Sequence, residues 1–459
     1  MRFSWLAIFL LVACGPGGPR YAPLDSDGKN LRAADGRVVV LRGMNARVAG
    51  VFDVTLDGGR APVEPLPAFD DSDAARVSAL GFNFLRLPIS WSGVEPQAGV
   101  FSTAYLDAVA HVVDLCRAHG VLVLIDFHQD AWSKEIGEDG APLWAIVPPP
   151  TMLLSGPLTD LGARRTSAQV MSAFNSFFAG DAMMLQERFA EMAQQVAMRF
   201  RGDQAVLGYE LFNEPIAADA DLLAFHVKAA TAIRVVDAKH LILFEPSAER
   251  NFTNSAALAD APFPVGGAVY APHIYTGIFS NDPRLANDTY EESLHASVSG
   301  ARDEADSWKT PLILDEFGAG PTTPNGYGWI GHVLDDADEV LASTAFWVWK
   351  EISQASWGLF DQDASGAWIE RPQMIAAVSR PYAQAIGGAP SAMKWDGQTL
   401  TVTFAGSGAP PLHDVFFPGA APSIACDGAA TTAIAVDAAR SVYTIRCGGG
   451  GTHTLTLAR

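Results

Sequence analysis

Glu214 and Glu316 are the residues whose sequence surroundings point most directly to chemistry. Glu214 lies in "GYELFNEPIA" (208–217), where an apolar run stops at Asn213, Glu214 and Pro215. Glu316 lies in "PLILDEFG" (311–318), a second apolar run that ends in acids. A buried strand has no structural need of a terminal amide and carboxylate, and a proline ends its ladder. Two carboxylates facing each other across a cleft suit glycosidic-bond cleavage. One gives a proton; the other is nucleophile or base. A separation of about 5 to 5.5 Å goes with retention of anomeric configuration, a wider one with inversion. At about 5.5 Å two like charges repel by roughly 3 kcal/mol at an effective dielectric of 20. Such a pair keeps one acid protonated while the other ionises. Donors such as Arg86 and Tyr275 would hold the nucleophile ionised.

These acids need elements to carry them. Eight β-rich runs recur: 38–45, 82–88, 121–130, 205–215, 240–246, 267–275, 311–318 and 344–351. Helix patterns lie between several of them, at Ser72 to Leu80, Ala104 to His119, Met183 to Phe200, Asp221 to Asp237 and Tyr290 to Ser307. Alternating strands and helices predict a parallel sheet, and eight such strands an α/β fold of the (β/α)₈ TIM-barrel type. A doubly wound open sheet is the alternative, but no glycine-rich phosphate loop follows the first strand. In a barrel the strand ends share one rim, the site of chemistry. Here that rim would gather Arg86, His128, Asp130, Asn213, Glu214, Glu245, His273, Tyr275, Glu316, Trp347 and Trp349. From about Gly387 the pattern becomes alternating polar and apolar with glycine turns. This predicts a barrel over 20–386 and a small antiparallel β-sandwich over 387–459.

Other chemistries fit less well. His128, Asp130, His273 and Glu316 could be drawn as metal ligands, but no HxH or HExxH spacing appears. A serine hydrolase would need a GxSxG elbow, which is missing. Trp347 and Trp349 share a face by period two, and an indole at a barrel mouth suits the flat C–H face of a sugar. His128 and Asp130, also two apart, would both reach sugar hydroxyls. A barrel serving only as a glycan-binding scaffold is the reading from another class. Both carboxylates, with Asn213 and Tyr275, argue against it.

The formal net charge of −20 over 459 residues disfavours a nucleic-acid partner. Arg2 precedes an apolar run, Phe3 to Ala13, too short to span a bilayer and suited to a signal peptide. "LVAC" (11–14) resembles the bacterial lipoprotein processing box. Residues 1–19 are therefore expected to be an export signal and tether, with lipid on Cys14 and a cell-envelope location. Cys116 falls in an amphipathic helix and reads as a core thiol. Cys426 and Cys447 flank a short segment, where export would permit a disulfide.

With these motifs in place, the chain resembles the retaining glycosidases of clan A and, within them, glycoside hydrolase family 5. "LRLPISWSGVEPQAGVF", "DFHQDAWS", "GAPLWA", "ELFNEP", "APHIY" and "WVWKEISQASWGLFD" are similar to the endoglycoceramidase group. The resemblance implies Glu214 as general acid/base, Glu316 as nucleophile and Asn213 on the sugar 2-hydroxyl. Arg86, His273 and Tyr275 would orient the nucleophile, His128 and Asp130 grip the sugar, and Trp144 and Trp347 form stacking walls. It implies cleavage between a glycan and ceramide, with no cofactor. A β-glucanase or steryl-glucosidase is the alternative within that chemistry. Two departures stand out. "NARV" replaces the group's Ser-Ala-Lys, with Arg47 in place of lysine, and an Arg fork binds unlike a point charge. Strand eight ends Trp-Val-Trp-Lys-Glu, where an aromatic-Lys-Asp ending is usual. The apolar stretch 144–162 is unusual for a loop and suits an acyl chain or membrane surface.

Overall fold

A computed structural model of the chain describes residues 18–52, 65–154, 156, 160–278, 291–352 and 357–459. The signal segment and Cys14 lie outside the described residues.

Eight parallel strands form one barrel: β1 (Arg42–Asn45), β2 (Phe84–Ser90), β3 (Leu122–His128), β4 (Val206–Glu210), β5 (Leu241–Phe244), β6 (Ala268–Tyr270), β7 (Ile313–Phe317) and β8 (Ser343–Phe346). β8 pairs with β1, and parallel bridges Tyr270–Leu312 and Ile274–Phe317 close β6 against β7. The five expected helices form at Asp71–Ala79, Thr103–Ala118, Leu185–Phe200, Asp219–Val236 and Glu291–Trp308. Asp70 starts the first with a capping box, accepting from the Ser72 and Asp73 amides while Asp73 accepts from the Asp70 amide.

Side-chain alternation stacks the barrel interior in layers. Phe84, Leu124, Leu243, Ala271 and Ile313 belong to an apolar layer. Two residues further along each chain come Arg86, Asp126, Glu245, His273 and Asp315, all buried. The barrel is thus greasy below and ionic above, with the ionic layer under the mouth. Gly43 leaves room for this filling, since a Cβ there would meet the Phe84 ring at 2.4 Å.

The run at 38–45 proves to be two strands. Val38–Val39 joins a seven-stranded sheet with Leu24–Ser26, Leu31–Ala33 and the C-terminal strands Tyr382–Ile386, Leu412–Phe416, Val442–Arg446 and Ala435–Asp437. A five-stranded antiparallel sheet from Ala389–Trp395 to Gly450–Ala458 completes the β domain. Phe404, Val415, Phe416 and Leu455 fill its core. Cys426 and Cys447 are disulfide-bonded, linking the five-stranded sheet to the end of a strand of the seven-stranded one. Cys116 is a buried free thiol, its pKa pushed up by burial.

Candidate active site

Arg86 on β2 organises the ionic layer. Its Nε and Nη2 donate to the two oxygens of Glu210, each at 2.7 Å. Nη1 donates to Glu316 Oε1 at 2.6 Å and to Asn45 Oδ1 at 3.0 Å. Nη2 also donates to Asn213 Oδ1 at 2.7 Å and stands 3.0 Å from Asp126. A lysine could not span these partners; the planar fork can. Burial disfavours the Arg86 charge, yet Asp126, Glu210 and Glu316 raise its pKa well above the ordinary value. One guanidinium cannot ionise every acid around it. Burial and the Arg86-bound Glu210 push Asp126, Glu245 and Asp315 well above the usual carboxylate range. Burial also works to raise Glu210, but the Arg86 fork holds it at about 2.

Glu316 is placed by a local irregularity. The β7–β8 register shifts between Leu314 and Phe317. A bulge lets consecutive residues, Asp315 and Glu316, both reach the interior. Tyr275 donates its hydroxyl to Glu316 Oε2 at 2.9 Å. Glu214 is placed by a turn, not by a strand: β4 ends at Glu210. Phe212 anchors the turn among Phe177, Phe178, Phe189 and Phe225. Glu214 itself has φ of 42°, a left-handed conformation that a non-glycine residue adopts at a cost of order 1–3 kcal/mol. Its amide donates to Glu245, and Asn251 donates Nδ2 to Glu214 Oε1 at 2.7 Å.

One oxygen of Glu214, one of Glu316 and a ring nitrogen of His273 lie within 4.8 Å of one another. His273 Nδ1 is 3.1 Å from Glu214 Oε1 and 3.5 Å from Glu316 Oε2. Burial works against charge on His273, but Glu316 and Glu214 outweigh it and raise the imidazole above its ordinary value. Burial also works to raise Glu214, but the hydrogen bond and charge of His273, with the charge of Arg165, hold it at about 2. These opposite shifts favour His273 over Glu214 as the holder of a proton shared between them.

The cavity above this trio has a volume of about 180 Å³. Asn213, Glu214, Tyr275 and Glu316 form its reacting side, and His128, Asp130 and Trp347 line it as the sequence suggests. His128 shares a 2.6 Å hydrogen bond with Asp126 and stacks on Trp347 at 5.9 Å. Burial and Arg86 lower its pKa to about 3, so the ring is neutral. The four residues drawn as metal ligands do not converge: Arg165 pairs with Asp130 through both oxygens, and His128 is turned to Asp126.

Three expected contacts are corrected. Trp144 stands outside the cavity lining; it packs edge-on against Trp91 and donates its N–H to the Glu95 carbonyl. Trp349 does not share the face of Trp347, because β8 ends at Phe346 and period two lapses. It is buried against Phe360 and donates to Asp73. Arg47 is 2% exposed and acts behind the wall, donating to Glu351 at 2.5 Å and Glu138 at 3.4 Å. Its guanidinium sits 5.7 Å from the Trp347 ring centroid.

The sequence reading missed Phe52, Glu138, Arg165, Phe252, Glu351 and Trp357, which also line the cavity. It also missed Asn251 and the buried acids Asp126, Glu210 and Asp315. For the acids a signal existed: each is a charge inside an apolar strand run, and such charges must find partners. Along 144–162, Met152 and Leu153 are exposed, at 61% and 42%.

The family model for cellulase, glycosyl hydrolase family 5, matches residues 66–358. The chain is 26% identical over 350 residues to Endoglycoceramidase I of Rhodococcus hoagii (strain 103S), covering 71% of this chain and 67% of that one. It is 26% identical over 213 residues to the Endoglycoceramidase of Cyanea nozakii, covering 39% of this chain and 42% of that one. Endo-glycoceramidase II from Rhodococcus sp., solved as a ganglioside GM3 complex, aligns with a TM-score of 0.76 at 26% identity. Its lactosyl-enzyme intermediate aligns at 0.75, and both cover 94% of this chain and 98% of that one.

Proposed function

Because the chain belongs to glycosyl hydrolase family 5, we propose that it is a retaining β-glycosidase that cleaves the bond between a glycan and a lipid aglycone. The observation that carries this reading is the approach of Glu214 and Glu316 oxygens to within 4.8 Å. That approach goes with the carboxyl separation of about 5–5.5 Å found in retaining enzymes and not with the wider gap of about 6.5–9.5 Å in which inversion places its water. Glu316, oriented by Arg86 and Tyr275, attacks the anomeric carbon. Glu214 protonates the departing oxygen, drawing on the proton that His273 shares with it. In the second step Glu214 takes a proton from water, which attacks the glycosyl ester and frees Glu316. Asn213, held by Arg86 and by its own Nδ2 bond to the Gln129 carbonyl, faces the cavity to meet the sugar 2-hydroxyl.

A lipid aglycone is supported by the relatives' substrates and by the exposed Met152, Leu153 and Phe252, the last on the cavity lining. Such apolar surface suits an acyl chain or a membrane. We further propose export and lipid attachment at Cys14, which would hold the enzyme where glycolipids concentrate. Among the described residues no helix is long and apolar enough to cross a membrane.

The test is a set of parallel digests of glycosylceramides in detergent and of soluble β-glucans, with Glu316→Gln as control. Release of sugar and ceramide, lost in the variant, with the β-anomer appearing first by NMR, is the expected result. Activity on β-glucan alone would remove the lipid substrate, and first appearance of the α-anomer would remove retention.

A further inference from the structure

The shape of the cavity limits how much glycan lies on the glycosyl side of the scissile bond. The aglycone must leave past Glu214, because that carboxyl protonates the leaving oxygen. Asn251 holds Glu214 from the turn after β5, and Phe252 on the same turn is 54% exposed beside the cavity. The aglycone side therefore lies over β5. Four strands round the barrel is β1, the diametrically opposite position.

There, among the described residues, the cavity is lined by a buried wall. Phe52 follows β1, His128 ends β3, and Trp347 and Glu351 follow β8; with Glu138 all five are cavity-lining residues. Phe52, His128, Glu138 and Glu351 are each 2–4% exposed. Behind them the Arg47 fork ties Glu351 to Glu138, joining the segments after β8 and β3 across β1. Its charge also lies over Phe52, at 5.3 Å from the ring centroid. A wall cross-linked by a buried, doubly paired guanidinium does not part to admit a second ring without leaving that charge unpaired, which costs several kcal/mol.

The cavity that this wall lines has a volume of about 180 Å³. Its carboxylates Glu138, Glu351 and Asp130 are acceptors suited to the free hydroxyls of a terminal sugar.

We infer that the enzyme removes one terminal sugar from its aglycone, and that the Arg47–Glu138–Glu351 wall excludes a disaccharide. This rests on the glycosidase reading above and is independent of its lipid half. It separates this chain from the relative whose solved intermediate carries a lactosyl group.

The full chain would be given nitrophenyl β-glucoside, β-galactoside and β-lactoside, and the matching glucosyl-, galactosyl- and lactosylceramides in detergent. The expected result is kcat/KM for the better monosaccharide glycoside exceeding that for the lactoside by roughly 100-fold or more, the upper range of steric rejection by one pocket. Free monosaccharide would be the sole sugar product. Release of intact lactose at a comparable rate would overturn the inference. Cleavage of an aryl monosaccharide but of no ceramide would sustain it and remove the lipid substrate instead. Silence on all six substrates would overturn both.

Discussion

His273 Nδ1 stands 3.1 Å from Glu214 Oε1, close enough for the two to hold one proton between them. With Glu214 held at about 2 and His273 raised above 6.5, that proton rests on the imidazole before substrate arrives. The paired proton leaves only as pH rises through the raised His273 value, after which none is available for the leaving oxygen. The alkaline limb of kcat/KM should therefore lie above pH 6.5. In His273→Asn, Glu214 loses the partner that lowers it and must carry the proton itself, so the limb should move to lower pH. A profile on an aryl glycoside checks this. An unmoved limb would leave His273 a purely structural group.

The two carboxylates should separate by leaving group and by rescue. Without its acid, Glu214→Ala should lose roughly 10²–10⁴-fold on a lipid glycoside, whose alkoxide leaves badly, and far less on a nitrophenyl glycoside. Azide entering the vacated space should restore turnover and give the β-glycosyl azide. Glu316→Ala should give the α-glycosyl azide, or nothing. Opposite anomers from the two variants would reverse the roles assigned here.

Arg86→Lys keeps the charge and removes the fork. Glu210, held through two bonds of 2.7 Å, would lose its matched partner while buried. Breaking such a pair costs about 3 kcal/mol or more of folding stability. Glu316 would lose an orienting donor, and kcat/KM should fall by about 10²–10³-fold, the scale of one preorganised donor. Denaturant titration and steady-state kinetics read the two effects separately. A lysine variant matching the parent in both would show that charge alone suffices.

The parts of this site that follow from period and spacing were legible in the sequence. Arg86 and His128 occupy inward positions on regular strands, His273 keeps the same alternation three residues past the end of β6, and their place at one rim follows from that period. Glu316 breaks that rule: Asp315 is the inward residue by period two, and the β7 bulge brings Glu316 in as well. Glu214 owes its direction to a left-handed turn that only the Asn-Glu-Pro sequence hinted at. Trp349 departs from its expected face because period two does not hold past the end of β8. The place of Arg47 behind the wall has no local signal because its partners, Glu138 and Glu351, lie 91 and 304 residues away. The sequence order of these acids holds no local trace of their meeting, just as nothing near Asp130 announces Arg165.

The disulfide offers a prediction apart from the chemistry. Cys426 and Cys447 close a loop with a sequence separation of 21 residues and tie strand Ser423–Cys426 of the five-stranded sheet to the residue just past strand Val442–Arg446 of the seven-stranded one. Chain-entropy arguments give such a cross-link about 3 kcal/mol. The seven-stranded sheet also contains Leu24–Ser26, Leu31–Ala33 and Val38–Val39, which lead directly into β1. Loosening it therefore loosens the entry to the barrel, although both carboxylates stand at the far, C-terminal rim. Cys426→Ser/Cys447→Ser should lose about 3 kcal/mol in denaturant while its kcat/KM at 25 °C stays that of the parent. Thiol titration of the unfolded protein spanning residues 20–459 should find one reactive thiol, Cys116, before reduction and three after it. Three before reduction, with no loss of stability in the double variant, would mean that the cross-link does not form in the folded enzyme.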